Sequence, residues 1–381
     1  MKSLRLGIAG LGAASRQILS VIHKAEGVEL AAGADIRPEA LDEFTGKYGG
    51  AVFDDVEALC RSDAVDAVWI ATPNVFHAEH TVTAAEHGKH VITEKPMAVT
   101  LEEADRMVSA AACNGVKLLQ GHSKVYDPPV RRMREIISSG RLGRVIHIQT
   151  MNYNNWLQRP RIASEVDTGQ GGGLVYRQGP HQTDIVRCLG GGLVKSVRAV
   201  TGRWDPNFDT EGNFAAMLEF EDGTVASMSF NGYGYFDVTE LTWDIGEGGY
   251  LVERKAKGER LAGPIAAQEK YQIAARHAAS ADRMHQPFFG LTIVSCERGA
   301  IRQSPDGLYV YTQDGREEVA CGPRYGRAAE LIELRAGLVE ERPVFPDGTW
   351  GKASLEVCLA MLQSSKERRE IRLEHQVPCP F

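Results

Sequence analysis

Long apolar runs are missing from this 381-residue chain. No stretch approaches the roughly 18 to 20 consecutive apolar residues that a membrane helix requires, so neither a spanning segment nor a membrane partner is expected. The beginning, Met1 to Gly10, lacks the extended apolar region and small-residue cleavage site of a signal peptide and reads as a strand entering a glycine turn. Cysteine is sparse and scattered: Cys60, Cys113, Cys188, Cys296, Cys321, Cys358 and Cys379 form no CxxC pair. An odd, dispersed set argues against a disulfide framework and suits a reducing compartment, so a cytoplasmic location is expected. Positive charge is in deficit, with 43 Lys and Arg against 50 Asp and Glu, a net charge of -7. That excludes a general affinity for nucleic acid. It leaves room for a small anionic substrate held by a local arginine cluster. No repeat period and no low-complexity tract appears, despite 40 glycines. The pairs His77/His80 and His87/His90 lack a third ligand, so no metal site is expected. Lys366 to Glu370 mixes signs and reads as a solvated helix face.

What is present is the composition of a two-domain globular protein, 43% apolar and 24% charged. Up to about residue 122, short apolar runs alternate with helical patterns. Strands are predicted at Leu4–Ala9, Val28–Ala34, Ala67–Ala71, His90–Thr93 and Lys117–Gln120. Helices are predicted at Arg16–Ala25, Pro38–Tyr48, His77–His87 and Leu101–Asn114. This alternation implies right-handed crossovers and a parallel sheet. The pattern then changes. After a helix at Val130–Ser138 come strands at Val145–Thr150, Ser196–Thr201, Phe214–Phe220, Thr224–Phe230, Thr292–Cys296 and Leu308–Thr312, with Asp222-Gly223 as a hairpin turn. Residues 253–285, charged and alanine-rich, read as a helical excursion or a mobile loop. Helices over 326–340 and 350–367 close the chain. The expected fold is therefore α/β: an N-terminal Rossmann parallel sheet over residues 1–122, and a C-terminal α/β domain over 123–381 with a large, mostly antiparallel open sheet. The open face suggests a homodimer or homotetramer.

Gly10-Leu-Gly12-Ala13-Ala14-Ser15 follows the first strand directly. Glycines there allow a tight turn and close approach of a pyrophosphate to the start of the next helix. Gly10, Gly12, Ala13 and Ala14 are the candidate contacts, and Ser15 is a small stand-in for the third glycine of the fingerprint. Asp35 lies 23 residues past Gly12, at the end of the second strand, where a carboxylate accepts bonds from the adenosine ribose. An acid there repels a 2′-phosphate and favours NAD, while Arg37 keeps NADP open. Two further loops fall at strand ends, Ala71-Thr72-Pro73-Asn74 ending in His77, and Thr93-Glu94-Lys95-Pro96. Proline fixes the backbone of each and can present the preceding residues to the nicotinamide.

These loops, followed by Gly171-Gly172-Gly173, His181 and Asp184, resemble the glucose–fructose oxidoreductase, inositol dehydrogenase and MocA family. The resemblance extends over nearly the whole chain. It implies that Lys95 is the catalytic lysine and that His181 is a second acid/base or a substrate-orienting donor, with Asp184 beside the substrate. A lysine next to a positive nicotinamide can have a lowered pKa and pass a proton.

One position departs from the family pattern. An aspartate usually stands four residues before the histidine; here it is Arg177. A guanidinium at that place can grip a carboxylate with two parallel bonds. The other use of Arg177 is a structural ion pair, for instance with Asp184. Arg159 and Arg161 lie upstream and can add charge or stay solvated. Tyr126, Tyr153, Asn154 and Trp156 are candidate pocket walls. The stretch Arg177 to Asp184, with Arg159-Pro160-Arg161, resembles the branch of phthalate 4,5-cis-dihydrodiol dehydrogenases. That implies oxidation of a carboxylated aromatic cis-dihydrodiol to a catechol. The alternatives are a sugar or inositol dehydrogenase and, from another class, a non-catalytic cofactor-binding regulator.

Overall fold

The computed structural model describes residues 3–253, 260–267, 269–270 and 285–381. In chain order it opens with β1 (Leu4–Ala9), α1 (Ala13–Leu19), β2 (Val28–Ala34), α2 (Pro38–Tyr48), β3 (Ala51–Phe53), α3 (Val56–Arg61), β4 (Ala67–Ile70), α4 (His77–Glu86), β5 (His90–Thr93), α5 (Leu101–Cys113) and β6 (Leu118–Gln120). The six strands pair in parallel in the order β3-β2-β1-β4-β5-β6. The order reverses between β1 and β4, and a crevice at the carboxyl ends of the strands is where such sheets take their ligands. Every side chain of β4 is buried, as expected of a strand covered on both faces. Leu6, Ile8, Ile18, Trp69, Ile92 and Leu119 form the core, together with Leu331, Leu334 and Val344 from a much later part of the chain.

That later part belongs to the same compact unit, which comprises Met1–Ser123 and Tyr325–Leu355. It contributes a helix at Ala328–Val339 and the start of a second helix, Gly348–Glu367. The second unit comprises Lys124–Arg324 and Glu356–Phe381. It contains α6 (Pro128–Ser138), β7 (Val145–Tyr153), α7 (Gly173–Arg177), α8 (Gly179–Leu189), β8 (Val194–Gly202), β9 (Asn213–Phe220), β10 (Val225–Asn231), β11 (Leu291–Cys296), β12 (Gly299–Gln303), β13 (Gly307–Thr312), β14 (Gly315–Ala320) and, after the long helix, β15 (Ile371–Arg372). Its nine strands run β14-β13-β12-β11-β7-β10-β9-β8-β15. Among the described residues of this sheet, only β7 and β10 pair in parallel. On β7, Ile148, Thr150 and Asn152 are buried while the residues between them are partly open, the period-two signature of a sheet covered on one face. The other face leaves Val200 and Met217 59% and 63% exposed.

The expected α/β architecture holds, with corrections in detail. The first helix begins at Ala13 and ends at Leu19, followed by a short 3-10 turn at Ile22–Lys24, instead of running over Arg16–Ala25. Gly12 caps it without a side-chain bond, so no capping residue marks its start. β3, α3, α7, α8, β12 and β14 were not anticipated; most are too short for a periodic pattern to register. Most of 253–285, read as helix or loop, lies outside the described residues.

Candidate functional site

In the first unit the site is built from backbone. Gly10 has φ +89°, and a Cβ there would fall 2.8 Å from the Ala71 carbonyl and 2.9 Å from the Thr72 nitrogen, so only glycine fits. Nothing lies within 4 Å of the Cβ position of Gly12, which leaves open space beside the turn leading into Ala13 and Ala14. Ser15 is fully buried and its hydroxyl donates to the Gly12 carbonyl at 2.8 Å. A tight glycine turn with room beside it fits a dinucleotide pyrophosphate.

Asp35 stands at the end of β2 and is 7% exposed in its side chain. Its carboxylate accepts from the backbone of Leu11 (2.8 Å) and of Arg37 (3.0 Å), and from Arg37 Nε (2.9 Å) and Nη2 (2.8 Å). Burial works to raise its pKa, but the Arg37 and Leu11 bonds outweigh it and hold the carboxyl below its ordinary value. Two of these donors are backbone and belong to the frame. The Arg37 side chain, by contrast, is 40% exposed.

The Glu94–Lys95–Pro96 loop is fastened on both sides of the lysine. The Glu94 carboxylate is 7% exposed and turned inward, accepting from the Trp69 indole (3.3 Å) and pairing with Arg327, whose guanidinium lies over the Trp69 ring at 5.1 Å. Gln120 donates to the Glu94 carbonyl (3.2 Å) and the Thr93 carbonyl (3.1 Å). After the lysine, the Pro96 carbonyl lies 2.8 Å from His77 Nδ1, and His77 Nε2 lies 2.9 Å from the Thr72 carbonyl. The Lys95–Pro96 peptide is cis. Glu94 and Pro96 are buried, whereas Lys95 is partly exposed. The surrounding bonds therefore fix the loop and leave the lysine presented. Glu94 and His77, expected as cofactor contacts, are 7% and 1% exposed, and their side chains tie one loop to its neighbours.

In the second unit the site is built from charged side chains. Gly173 has φ +81°, and a Cβ there would lie 2.4 Å from Glu211 Oε1. The space is used: Glu211, 4% exposed, accepts from the Val175 amide at 2.9 Å and closes the start of α7. α7 ends at Arg177, and α8, beginning at Gly179, carries His181. His181 is partly exposed and meets the Phe289 ring edge-on at 5.2 Å. Arg177 donates from Nη2 to Glu165 Oε1 at 2.8 Å, and Lys270 pairs with the other oxygen, Glu165 Oε2. Arg161 stacks on Trp156 at 4.5 Å and donates to its carbonyl at 3.3 Å. Burial pushes Glu165 upward, but Arg177 and Lys270 prevail and hold it below the ordinary carboxylate value. Burial pulls Arg161 below the usual guanidinium range; Glu165 pulls it back, Arg177 and Arg159 add to the depression, and Glu247 opposes it weakly. Among the described residues, three cations, Arg177, Lys270 and Arg161, thus share the field of Glu165, a surplus of positive charge in a partly dry place.

The structural ion pair considered for Arg177 is made with Glu165. Asp184 and Trp156 are both fully buried, so neither offers surface to a substrate: Asp184 lies in the field of buried Arg187, and Trp156 is the platform for Arg161. Asn154, 5% exposed, accepts from the Trp156 amide at 2.9 Å and shapes the turn. Arg159 is exposed and donates to Asn155 at 3.0 Å. Tyr126 is partly exposed beneath the Arg131 guanidinium, 5.1 Å from the ring centre. Tyr153 lines a separate cavity of about 670 Å³ with Trp204, Tyr233, Tyr235 and Arg260. Glu165, Lys270, Glu211 and Arg327 were missed. Among the described residues no group of three or more His, Cys, Asp or Glu is gathered as a metal-ligand set, and no helix is long and apolar enough to cross a membrane.

A Rossmann sheet with a glycine turn and an acid at the end of β2, joined to a second domain with a large mixed sheet, defines a nicotinamide-type oxidoreductase architecture. Known proteins agree. The family described as "Oxidoreductase family, NAD-binding Rossmann fold" matches residues 4–122, and the "GFO/IDH/MocA C-terminal domain" matches 130–249. The chain is 35% identical, over 95% of both chains, to the 1-carboxy-3-chloro-3,4-dihydroxycyclohexa-1,5-diene dehydrogenase of Comamonas testosteroni. A crystal structure from Bordetella bronchiseptica RB50, provisionally described as a dehydrogenase, superposes with TM-score 0.90 at 37% identity, covering 98% of this chain and all of that one. The WlbA dehydrogenase of Bordetella pertussis, in complex with NADH and UDP-GlcNAcA, shares the fold at TM-score 0.75 and 21% identity, over 98% of each chain. The chain belongs to the Gfo/Idh/MocA oxidoreductase family and is an NAD-binding dehydrogenase of that family.

Proposed function

We propose that the enzyme oxidises a carboxylated cyclic diol, of the phthalate 4,5-cis-dihydrodiol type, to a catechol. The observation that carries the reading is the surplus of cations around Glu165, which includes the arginine standing where the family pattern has an aspartate. The name of the Comamonas relative, a dehydrogenase of a carboxylated dihydroxycyclohexadiene, supports the same substrate class.

When bound, the nicotinamide dinucleotide supplies the hydride acceptor. Lys95 takes the proton from the reacting hydroxyl, and His181 serves as the second acid/base or orients the neighbouring hydroxyl. Arg177 docks a ring carboxylate, with Arg161 and Arg159 strengthening the field and Glu165 as the resident counter-ion. The hydroxy-ketone left after oxidation enolises to a catechol, and the aromaticity gained drives the reaction forward. Asp35 favours NAD over NADP by accepting the ribose hydroxyls in exchange for Arg37. The exposed sheet face with Val200 and Met217 suits self-association as a homodimer or homotetramer, which light scattering tests.

The deciding experiment follows nicotinamide absorbance with carboxylated cis-dihydrodiols, neutral dihydrodiols and polyols, each with NAD and with NADP. A marked preference for the carboxylated diol with NAD is expected. Equal turnover of the neutral diol removes the carboxylate site, and faster turnover of inositol or a sugar assigns the enzyme to polyols.

A further inference from the structure

Two thiols outside this chemistry lie in contact. Cys188, buried near the end of α8, and Cys379, partly exposed in the C-terminal tail, have their Sγ atoms 3.9 Å apart. The contact does not depend on a loose tail. The Cys379 amide donates to the Gly191 carbonyl at 2.9 Å. Arg187, one residue before Cys188 and fully buried, donates to Gln376 Oε1 at 2.9 Å and to the Val377 carbonyl at 3.3 Å. Glu356 accepts from the amides of Glu374 (2.7 Å) and His375 (3.0 Å) and from Gln376 Nε2 (2.7 Å). Gly192 lies under the same segment, with room for no side chain against the Val377 carbonyl. The backbone on both sides of each sulfur is thus held, and the two sulfurs face one another.

We propose that Cys379 and Cys188 are a redox-modification site, in which a peroxide-class oxidant converts the two thiols to a disulfide that fastens the C-terminal tail to α8. The two sulfurs are unequal in the way the chemistry needs. Hydrogen bonding with Cys188 brings the Cys379 thiol down to about 7 against the effect of burial, helped by the Phe381 amide and Arg134. The same bond and burial hold Cys188 well above the ordinary thiol value. Cys379 is therefore the attacking thiolate and Cys188 the resolving thiol. The Cys379 sulfur attacks one peroxide oxygen, the O–O bond breaks, and a first water leaves, giving a sulfenic acid. The Cys188 sulfur then attacks that sulfur, the S–O bond breaks, a second water leaves and the S–S bond forms. Two thiols lose two electrons and two protons, and one hydrogen peroxide takes them up to become two waters.

The test treats the full-length protein, in a Cys113→Ser background that removes an exposed thiol, with hydrogen peroxide. Alkylation in denaturant and peptide mapping without reductant follow. A peptide linking 188 to 379, reversed by dithiothreitol, is the expected result, with a higher Tm that a Cys379→Ser variant does not show. In Cys188→Ala a dimedone adduct at Cys379 is expected to accumulate, because nothing resolves the sulfenic acid. Linkage through any other cysteine, or oxidation of Cys379 to a sulfinic acid without linkage while Cys188 is intact, overturns the proposal. So does full recovery of both thiols after peroxide.

Discussion

The candidate regions of the two units are made differently. In the first unit the positions are set by backbone: Gly10 against the Ala71 carbonyl, Leu11 N on Asp35, and His77 between the Thr72 and Pro96 carbonyls. In the second unit they are set by side chains: Arg177 and Lys270 on Glu165, and Arg161 on the Trp156 ring. Backbone contacts tolerate few substitutions and suit a ligand that does not change, such as a cofactor. Side-chain contacts can be exchanged one residue at a time. On the proposed function, generic chemistry belongs to the first region and substrate choice to the second.

The sharpest way to break that division is to remove chemistry from one region and recognition from the other. Lys95→Ala is expected to lower kcat by about 10² to 10⁴-fold on every substrate that turns over, the range for loss of a general acid/base. Steady-state absorbance assays check this; a variant with full turnover removes the lysine from the reaction. Arg177→Ala is expected to cost roughly 10- to 100-fold in kcat/KM on a carboxylated diol, mostly through KM, since a hydrogen bond to a charged group is worth about 1.5–3 kcal/mol. On a neutral diol the same variant changes little. Equal losses on both substrates indicate that the arginine only holds Glu165, and recognition then lies elsewhere.

How much of this was legible in the sequence follows the same division. β1, β2, α2 and β5 were read with their observed ends because glycine, proline or a polar residue bounds each apolar run. The loops after β4 and β5 were placed for the same reason, since they follow buried strands directly. The partners were not legible. Glu94 turns inward because Arg327 reaches it from 233 residues away, and no local pattern announces that. Glu165 meets Arg177 across 12 residues of short turns without a helical or strand period, and Lys270 arrives from 105 residues further on. The position of Glu165 in the sequence, between the Arg159/Arg161 pair and Arg177, was the one signal available. Asp184 was misread because spacing tells which residues share a motif and not which of them reach the surface.

A smaller effect tests the loops themselves. His77→Ala removes the ring that lies between the Thr72 and Pro96 carbonyls, of which a neutral imidazole donates to one, costs roughly 1–3 kcal/mol and lowers Tm. His77→Gln, which can still donate to one of them, is expected to recover part of the loss. Because the clamp holds the loop that presents Lys95, kcat in the glutamine variant should fall more than cofactor affinity does. A variant with native Tm and native kcat shows that the carbonyls find other donors and that the clamp is incidental.

The smallest expected effect compares the two carboxylates by acid. Asp35 and Glu165 both have folded-state pKa values below their ordinary 3.8 and 4.5. A depressed carboxyl binds fewer protons folded than unfolded, so its contribution is complete above the unfolded value and fades as pH falls through the folded one. The Tm gap between wild type and Asp35→Asn should therefore be widest near neutral pH and close below about pH 4, and Glu165→Gln should behave likewise. The two differ in what survives neutralisation. At Asp35 the backbone amides of Leu11 and Arg37 can still bond an amide oxygen, so the neutral gap should stay below about 2 kcal/mol. At Glu165 the substitution removes the counter-ion that Arg177 and Lys270 share, so its gap should be the larger and should shrink on adding salt. Equal gaps with equal salt response place both sites under the same control and remove the distinction between a backbone-built and a side-chain-built half.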